Sequence, residues 1–152
     1  MTIEAIPLIT PTFCLGPDSS QWEALEQLLE NGLNHAPVCE SESWLGLVTV
    51  HDLLGEVLPV SARMEHGLAH LGFVGDATAM LAAHLQEMKQ RTVKDLVRRD
   101  VPTLRRDHGL MEAALLLYQQ GISLPVLGSD GRLLGMLSAR ALLKYLAEKS
   151  GV

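Results

Sequence analysis

The sequence predicts an α/β fold in which two strand–helix–strand–strand–helix units pack with pseudo-twofold symmetry and a helical connector lies between them. Three observations carry this prediction. The stretch Pro11–Leu54 recurs, landmark by landmark, in Pro102–Leu143, and self-similarity of this kind marks a repeated structural unit. Within each copy the apolar residues alternate between helical and strand patterns, with turn-forming residues at the changes. Each copy is also near the size, about 40 residues, at which a lone hydrophobic core becomes marginal. The two copies are therefore expected to share one core.

The landmarks keep a nearly constant offset: Glu23-Ala24 with Glu112-Ala113, Gly32 with Gly121, Pro37-Val38 with Pro125-Val126, Gly46 with Gly135, Thr49 with Ser138, and Leu53-Leu54 with Leu142-Leu143. In the first copy, Thr12–Leu15 reads as a short extended run. Ser20 and Glu23 form a capping box that opens a helix. Trp22, Leu25, Leu28 and Leu29 recur at helical spacing, and Gly32 stands where a left-handed residue stops it. Ala36–Cys39 and Leu45–Thr49 are apolar runs around Glu40–Ser43, the pattern of a hairpin with both strands largely buried. Asp52–Leu58 returns to helix and ends at Pro59.

The second copy repeats the order. Leu110, Ala114, Leu117 and Tyr118 line one helical face, which Gly121 closes. Asp130-Gly131 is a hairpin-turn signal between Leu124–Leu127 and Leu133–Leu137, and a last helix runs from about Ala139 to Ala147. In the connector, Ala77–Gln90 is rich in good helix formers, and Thr92 with Asp95 reads as a cap opening a short helix, Val93–Arg99. Met80, Leu85 and Met88 share a face of the connector helix, a stripe expected to pack in the core or at a dimer contact. The organisation expected is a first motif over residues 1–58, a connector over 59–91 and a second motif over 92–152.

Composition narrows the function. The chain has 152 residues, 47% hydrophobic and 20% charged, ordinary values for a soluble globular protein. No apolar stretch approaches the ~18 residues of a membrane span, and the N-terminus has no secretory signal pattern. Cys14 and Cys39 lack CxxC spacing and are expected to be buried, reduced thiols, consistent with a cytoplasmic protein. A formal charge of −6 and only two each of Phe, Trp and Tyr argue against nucleic-acid binding.

Charge is segregated. Residues 1–62 hold nine acids and no Lys or Arg, while residues 63–152 hold the other nine acids and all twelve basic residues. Six of those bases lie between Arg91 and Arg106. They read either as a solvated helix face or as a positive surface that packs on the acidic half, within one chain or between two.

The Glu-Ala helix, the Gly stop, the Pro-Val strand, the run GLVTVHD and the Leu-Leu helix together resemble the cystathionine-β-synthase (CBS) domain. The tandem copies are similar to the paired arrangement called a Bateman module, over about Thr10–Leu58 and Thr92–Leu146. The resemblance implies an α/β fold, a tendency to homodimerise, and a regulatory, non-catalytic role. It also implies clefts for adenosine-containing ligands such as AMP, ADP, ATP or S-adenosylmethionine.

The family's nucleotide signature is Gly, two apolar residues, Ser or Thr, two variable residues, then Asp. The first copy has it complete in Gly46-Leu47-Val48-Thr49-Val50-His51-Asp52. By resemblance, Asp52 binds the ribose hydroxyls and Thr49 faces a phosphate. A carboxylate and a hydroxyl at a helix N-terminus are suited to these roles, although the same two residues could simply cap the helix. Asn34 and His35 match positions that approach phosphates, and protonation of His35 near its reference pKa of ~6.5 would strengthen that contact. Val101, Ile122, Ser123 and Leu124 match positions that meet the adenine.

The second copy departs from the signature: Gly135-Met136-Leu137-Ser138-Ala139-Arg140-Ala141 has Ala141 where the Asp belongs. At most one well-formed nucleoside site per chain is expected. A triphosphate would need Lys or Arg from Arg91–Arg106 or from a second chain, which ranks AMP, ADP and S-adenosylmethionine above ATP.

No catalytic residues and no metal site are expected. His66 and His70 stand four apart, a spacing zinc ligands use, but two ligands do not close a site, and no GxSxG elbow, P-loop or dinucleotide fingerprint is present. The competing reading is a dimerising or partner-binding scaffold with empty clefts. With no effector domain recognised, a sensed ligand would act through quaternary change or an unidentified effector protein.

Overall fold

In a computed structural model, residues 1–10, 13–58 and 78–151 are described. The first helix, α1 (Gln21–Asn31), starts where Ser20 Oγ accepts the Glu23 N–H at 3.0 Å and stops at Gly32, whose φ is +61°. Strands β1 (His35–Glu40) and β2 (Ser43–Thr49) form a two-stranded sheet, and helix α2 (Val50–Val57) follows directly. The two residues between the strands, Ser41 and Glu42, both have positive φ, 51° and 71°, as a tight hairpin of right-handed twist requires. Helix α3 (Thr78–Glu87) and a 3-10 turn, Val93–Asp95, precede the second copy. That copy contains β3 (Leu104–Arg105), α4 (Leu110–Gln120), β4 (Leu124–Leu127), β5 (Leu133–Leu137) and α5 (Ala139–Ser150). The α/β class and both copies of the motif are as expected. Thr12, Pro59, Ala77, His66 and His70 fall outside the described residues.

The copies share a strand plan. In the second, β3 runs parallel to β4, with Leu104 beside Val126, and β4 is antiparallel to β5. In the first, Leu15 makes the equivalent parallel bridge to Val38, its N–H donating to the Pro37 carbonyl at 2.9 Å. This bridge overturns the expectation of free thiols: Cys14 and Cys39, each next to a bridged residue, form a disulfide with their Cα atoms 6.0 Å apart.

The chain divides into two compact units that do not coincide with the repeat. One unit comprises residues 1–14, 39–46 and 99–152; the other comprises 15–38 and 47–98. In the first unit, Ile9 pairs with Met136 through two 2.8 Å backbone hydrogen bonds, so the N-terminal segment lies along β5. Gly135 is where they touch: a Cβ there would stand 2.8 Å from Leu8 Cβ and 3.1 Å from the Ile9 carbonyl oxygen. Gly135→Ala should therefore lower stability by about 1–3 kcal/mol, the usual range for overpacking, as measured by chemical denaturation. The tip of the first hairpin belongs to the same unit, where Trp44 N–H donates to the Gly131 carbonyl and Arg132 pairs with Glu42 at 3.0 Å.

In the second unit, Gln21 N–H donates to Arg91 and Trp22 N–H to Met88 at the carbonyls, so the N-terminus of α1 is tied to the segment after α3. Met88 of the connector stripe is buried, whereas Met80 is 42% exposed. Arg91 pairs with Glu56, Lys94 with Asp18 and Arg98 with Asp52. The basic segment thus meets acids from the N-terminal half inside this unit, and it is not simply a solvated face. The short helix expected over Val93–Arg99 is reduced to its first turn. Leu47 and Arg98 exchange backbone hydrogen bonds of 2.8 and 3.1 Å, and that extended pairing is incompatible with continued helix. Thr92, read as its cap, makes no side-chain capping bond.

Candidate functional site

The signature residues converge at the N-terminus of α2. Thr49 leaves β2 in extended conformation and caps the helix: its Oγ1 accepts the Asp52 N–H at 3.1 Å and donates to Asp52 Oδ2 at 2.9 Å. Thr49 is buried, so its hydroxyl holds the Asp52 carboxylate in one orientation. Val50 N–H, which the short helix leaves without an internal acceptor, donates to the Asn34 carbonyl at 2.9 Å. This joins the start of β1 to the same helix end. Asn34 is therefore attached through its backbone, and its side chain is exposed.

The residue that sequence reasoning missed is Arg98. Its Nε donates to Asp52 Oδ2 at 2.8 Å and its Nη2 to Oδ1 at 2.9 Å, the fork geometry in which guanidinium and carboxylate match best. The antiparallel contact with Leu47 fixes the Arg98 backbone. The only sequence signal was its place in the basic cluster opposite an acidic half. Asp52 is neither turned to bulk solvent nor spent only on its own helix; both of its oxygens are held by Arg98.

The electrostatics follow. Burial by itself would raise the Asp52 pKa, but hydrogen bonds from Arg98 and Thr49, with the positive field of Arg98 and a contribution from His51, outweigh it and hold the carboxyl below its ordinary value. His35 moves down too, first through burial and then through Arg98. The expected gain in phosphate contact near pH ~6.5 is corrected accordingly: His35 takes up a proton only at lower pH. Near neutrality it is an uncharged hydrogen-bonding group beside a fixed cation.

The residues expected to meet the base lie in the other unit. Ile122 and Ser123 are half-buried between Gly121 and β4, Leu124 is fully buried at the start of that strand, and Val101 is buried ahead of β3. In the second copy, Ser138 caps α5 by accepting the Ala141 N–H at 3.0 Å. The capping geometry of Thr49 thus recurs there without a carboxylate. Among the described residues no group of three metal-ligating side chains occurs, and no helix is long and apolar enough to cross a membrane.

Comparison with known proteins agrees with this layout. The CBS domain family matches residues 3–59 and 93–148. Among solved structures, the CBS-pair protein CBSX2 from Arabidopsis thaliana superposes with a TM-score of 0.75 at 22% identity, covering 99% of this chain and 97% of that one. CBSX2 in complex with AMP gives 0.69 at 23% identity, with 98% of each chain covered. The CBS domain pair of protein MJ0100, in complex with 5-methylthioadenosine and S-adenosyl-L-methionine, gives 0.64 at 19% identity, again with 98% of each chain covered. At these identities the likeness establishes the fold. A search of curated proteins finds no match.

Proposed function

The chain belongs to the CBS-domain family, and we propose that it is a regulatory module that binds an adenosine-containing ligand at the Thr49–Asp52–Arg98 site. The observation that carries this reading is the pairing of a preorganised carboxylate with a guanidinium at one helix N-terminus. A nucleotide presents the complementary pair, a vicinal diol and an anionic phosphate. On binding, the ribose hydroxyls take the Asp52 oxygens and Arg98 turns to the phosphate, so each charged group exchanges one charge-assisted partner for another. The AMP complex of CBSX2 and the nucleoside complexes of MJ0100 support the ligand class by analogy.

Arg98 also refines the ranking of ligands. A guanidinium displaced from Asp52 needs an anion, which favours AMP and ADP over the cationic S-adenosylmethionine. ATP ranks below AMP and ADP because its additional phosphate needs further cations. The test is calorimetric titration of the full chain with AMP, ADP, ATP and S-adenosylmethionine, alongside thermal melting at about 1 mM ligand, where a true ligand raises the midpoint by mass action. One site per chain with AMP or ADP tightest is expected. No binding by any of the four would leave the scaffold reading.

Dimerisation belongs to the same proposal and has its own support. On α4, Met111, Leu115 and Tyr118 are 83%, 52% and 86% exposed, and their spacing places them on one helix face. Exposed apolar stripes of this kind mark association surfaces. Leu115→Glu combined with Tyr118→Glu should convert a dimer to a monomer in sedimentation velocity, with the circular dichroism spectrum unchanged. In this reading the module is non-catalytic and passes its signal to a separate effector protein. A cytoplasmic setting is part of the same proposal.

A further inference from the structure

A second pocket lies within the unit that contains α5. Its volume is about 680 Å³, inside the ~300–1,000 Å³ range of small-molecule sites. One wall is the N-terminal segment, with Pro7, Leu8 and Ile9; the other is the face of α5 that carries Ala141 and Tyr145. The charge on this lining is one-sided. Arg140, Lys144 and Lys149 face a single carboxylate, Glu148, and none of the three cations has an ion-pair partner among the described residues. Lys149 lies 5.7 Å from the Tyr145 ring centroid, so one ammonium already rests on an aromatic face. The only hydroxyl at the α5 N-terminus, Ser138 Oγ, is occupied by the Ala141 N–H. Ala141 offers no carboxylate to a sugar diol.

We propose that this pocket binds a small organic anion, an apolar body ending in one phosphate or carboxylate group, with the anion held by Arg140 and Lys144 and the body against Leu8, Ile9 and Tyr145. Such a ligand matches both halves of the lining: apolar surface to cover the body, and unpaired cations that gain from a charge-assisted partner. It differs in class from the ligand of the Asp52 site, because nothing here grips a ribose. The pocket is then a second input, read independently of the first.

The test is amide chemical-shift titration of the full chain with phenyl phosphate and, separately, 3-phenylpropionate. These two arms separate a phosphate ligand from a carboxylate one, and benzyl alcohol and inorganic phosphate are the controls. At least one of the two organic anions is expected to shift the Ala141 and Tyr145 amides and to bind about tenfold or more tighter than either control, as loss of a charged contact implies. Arg140→Glu with Lys144→Glu should weaken that binding by at least about tenfold while the rest of the spectrum stays folded. The proposal is overturned if neither anion shifts those amides, if binding survives the charge reversal, or if inorganic phosphate alone binds as tightly as the organic anions. The Thr49 and Asp52 amides report the adenosine site in the same spectra with AMP, so failure of one site is distinguished from failure of the other.

Discussion

Reduction of the Cys14–Cys39 disulfide should lower the thermal midpoint by about 6–12 °C, and Cys14→Ser should reproduce the loss without reductant. The bond closes a loop with a sequence separation of 25 residues. On the chain-entropy account, a cross-link of that span removes enough freedom from the unfolded chain to contribute roughly 3 kcal/mol. In a chain of this size each kcal/mol moves the midpoint by about 2–4 °C. Differential scanning calorimetry with and without dithiothreitol measures the effect. A shift below about 2 °C would mean that the parallel Leu15–Val38 contact holds this region without covalent help. The cytoplasm is reducing for most thiols, so in that setting the same measurement states how much stability depends on the redox state of the protein.

The second large effect is at Asp52 and Arg98, where two variants should separate ligand classes that the intact protein treats together. Asp52→Ala should cost AMP about tenfold to a hundredfold in affinity, the range for losing hydrogen bonds to a charged group. Arg98→Ala should weaken AMP by a similar factor. It should leave adenosine unchanged or slightly tighter, because the carboxylate is then free for the ribose while no phosphate is lost. Calorimetric titration of both variants with both ligands checks this, and equal weakening of AMP and adenosine by Arg98→Ala would remove the phosphate role assigned to that residue. The pair also sets a pH dependence. The Asp52 pKa is depressed in the folded state, so its contribution is complete above the unfolded carboxyl value, near 4, and is lost as pH falls through the folded value. The depressed His35 acts at higher pH: below about 6.5 the unfolded chain takes up a proton that the folded chain refuses, and stability declines. Asp52→Asn should abolish the lower step alone, at a cost of about 1–2 kcal/mol at neutral pH, because solvent screens a pair whose side chains are 21% and 37% exposed.

The repeat made the element order legible, because turn residues and apolar periodicity are local signals. The faces of the helices were less so. Leu29 and Tyr118 were assigned to buried stripes, yet they are 71% and 86% exposed, while Ala24 and Ala113 have no exposure at all. Both helices are rotated in the same sense from the reading, and the reason is physical. Periodicity locates the broad apolar side of a helix, but the partner decides which flank is covered, and close packing here selects the small Ala of each Glu-Ala landmark. The Asp52 signature was readable from spacing alone. Its Arg98 partner, 46 residues away, and the thiol pairing were not, because both depend on strand contacts between segments distant in sequence.

Strand β2 opens among residues of one compact unit and finishes among those of the other, and each unit takes segments from both repeats. A nick within 59–77 would therefore release two peptides, and neither would own a full interior: the N-terminal piece would lack Val93 and the Arg98 anchor, and the C-terminal piece would lack Ile3 and Ile6. The duplicated stretches are copies in primary structure but not autonomous modules. Fragments produced apart should stay unfolded and recover order only when mixed, which makes this chain a natural candidate for split-reporter reassembly.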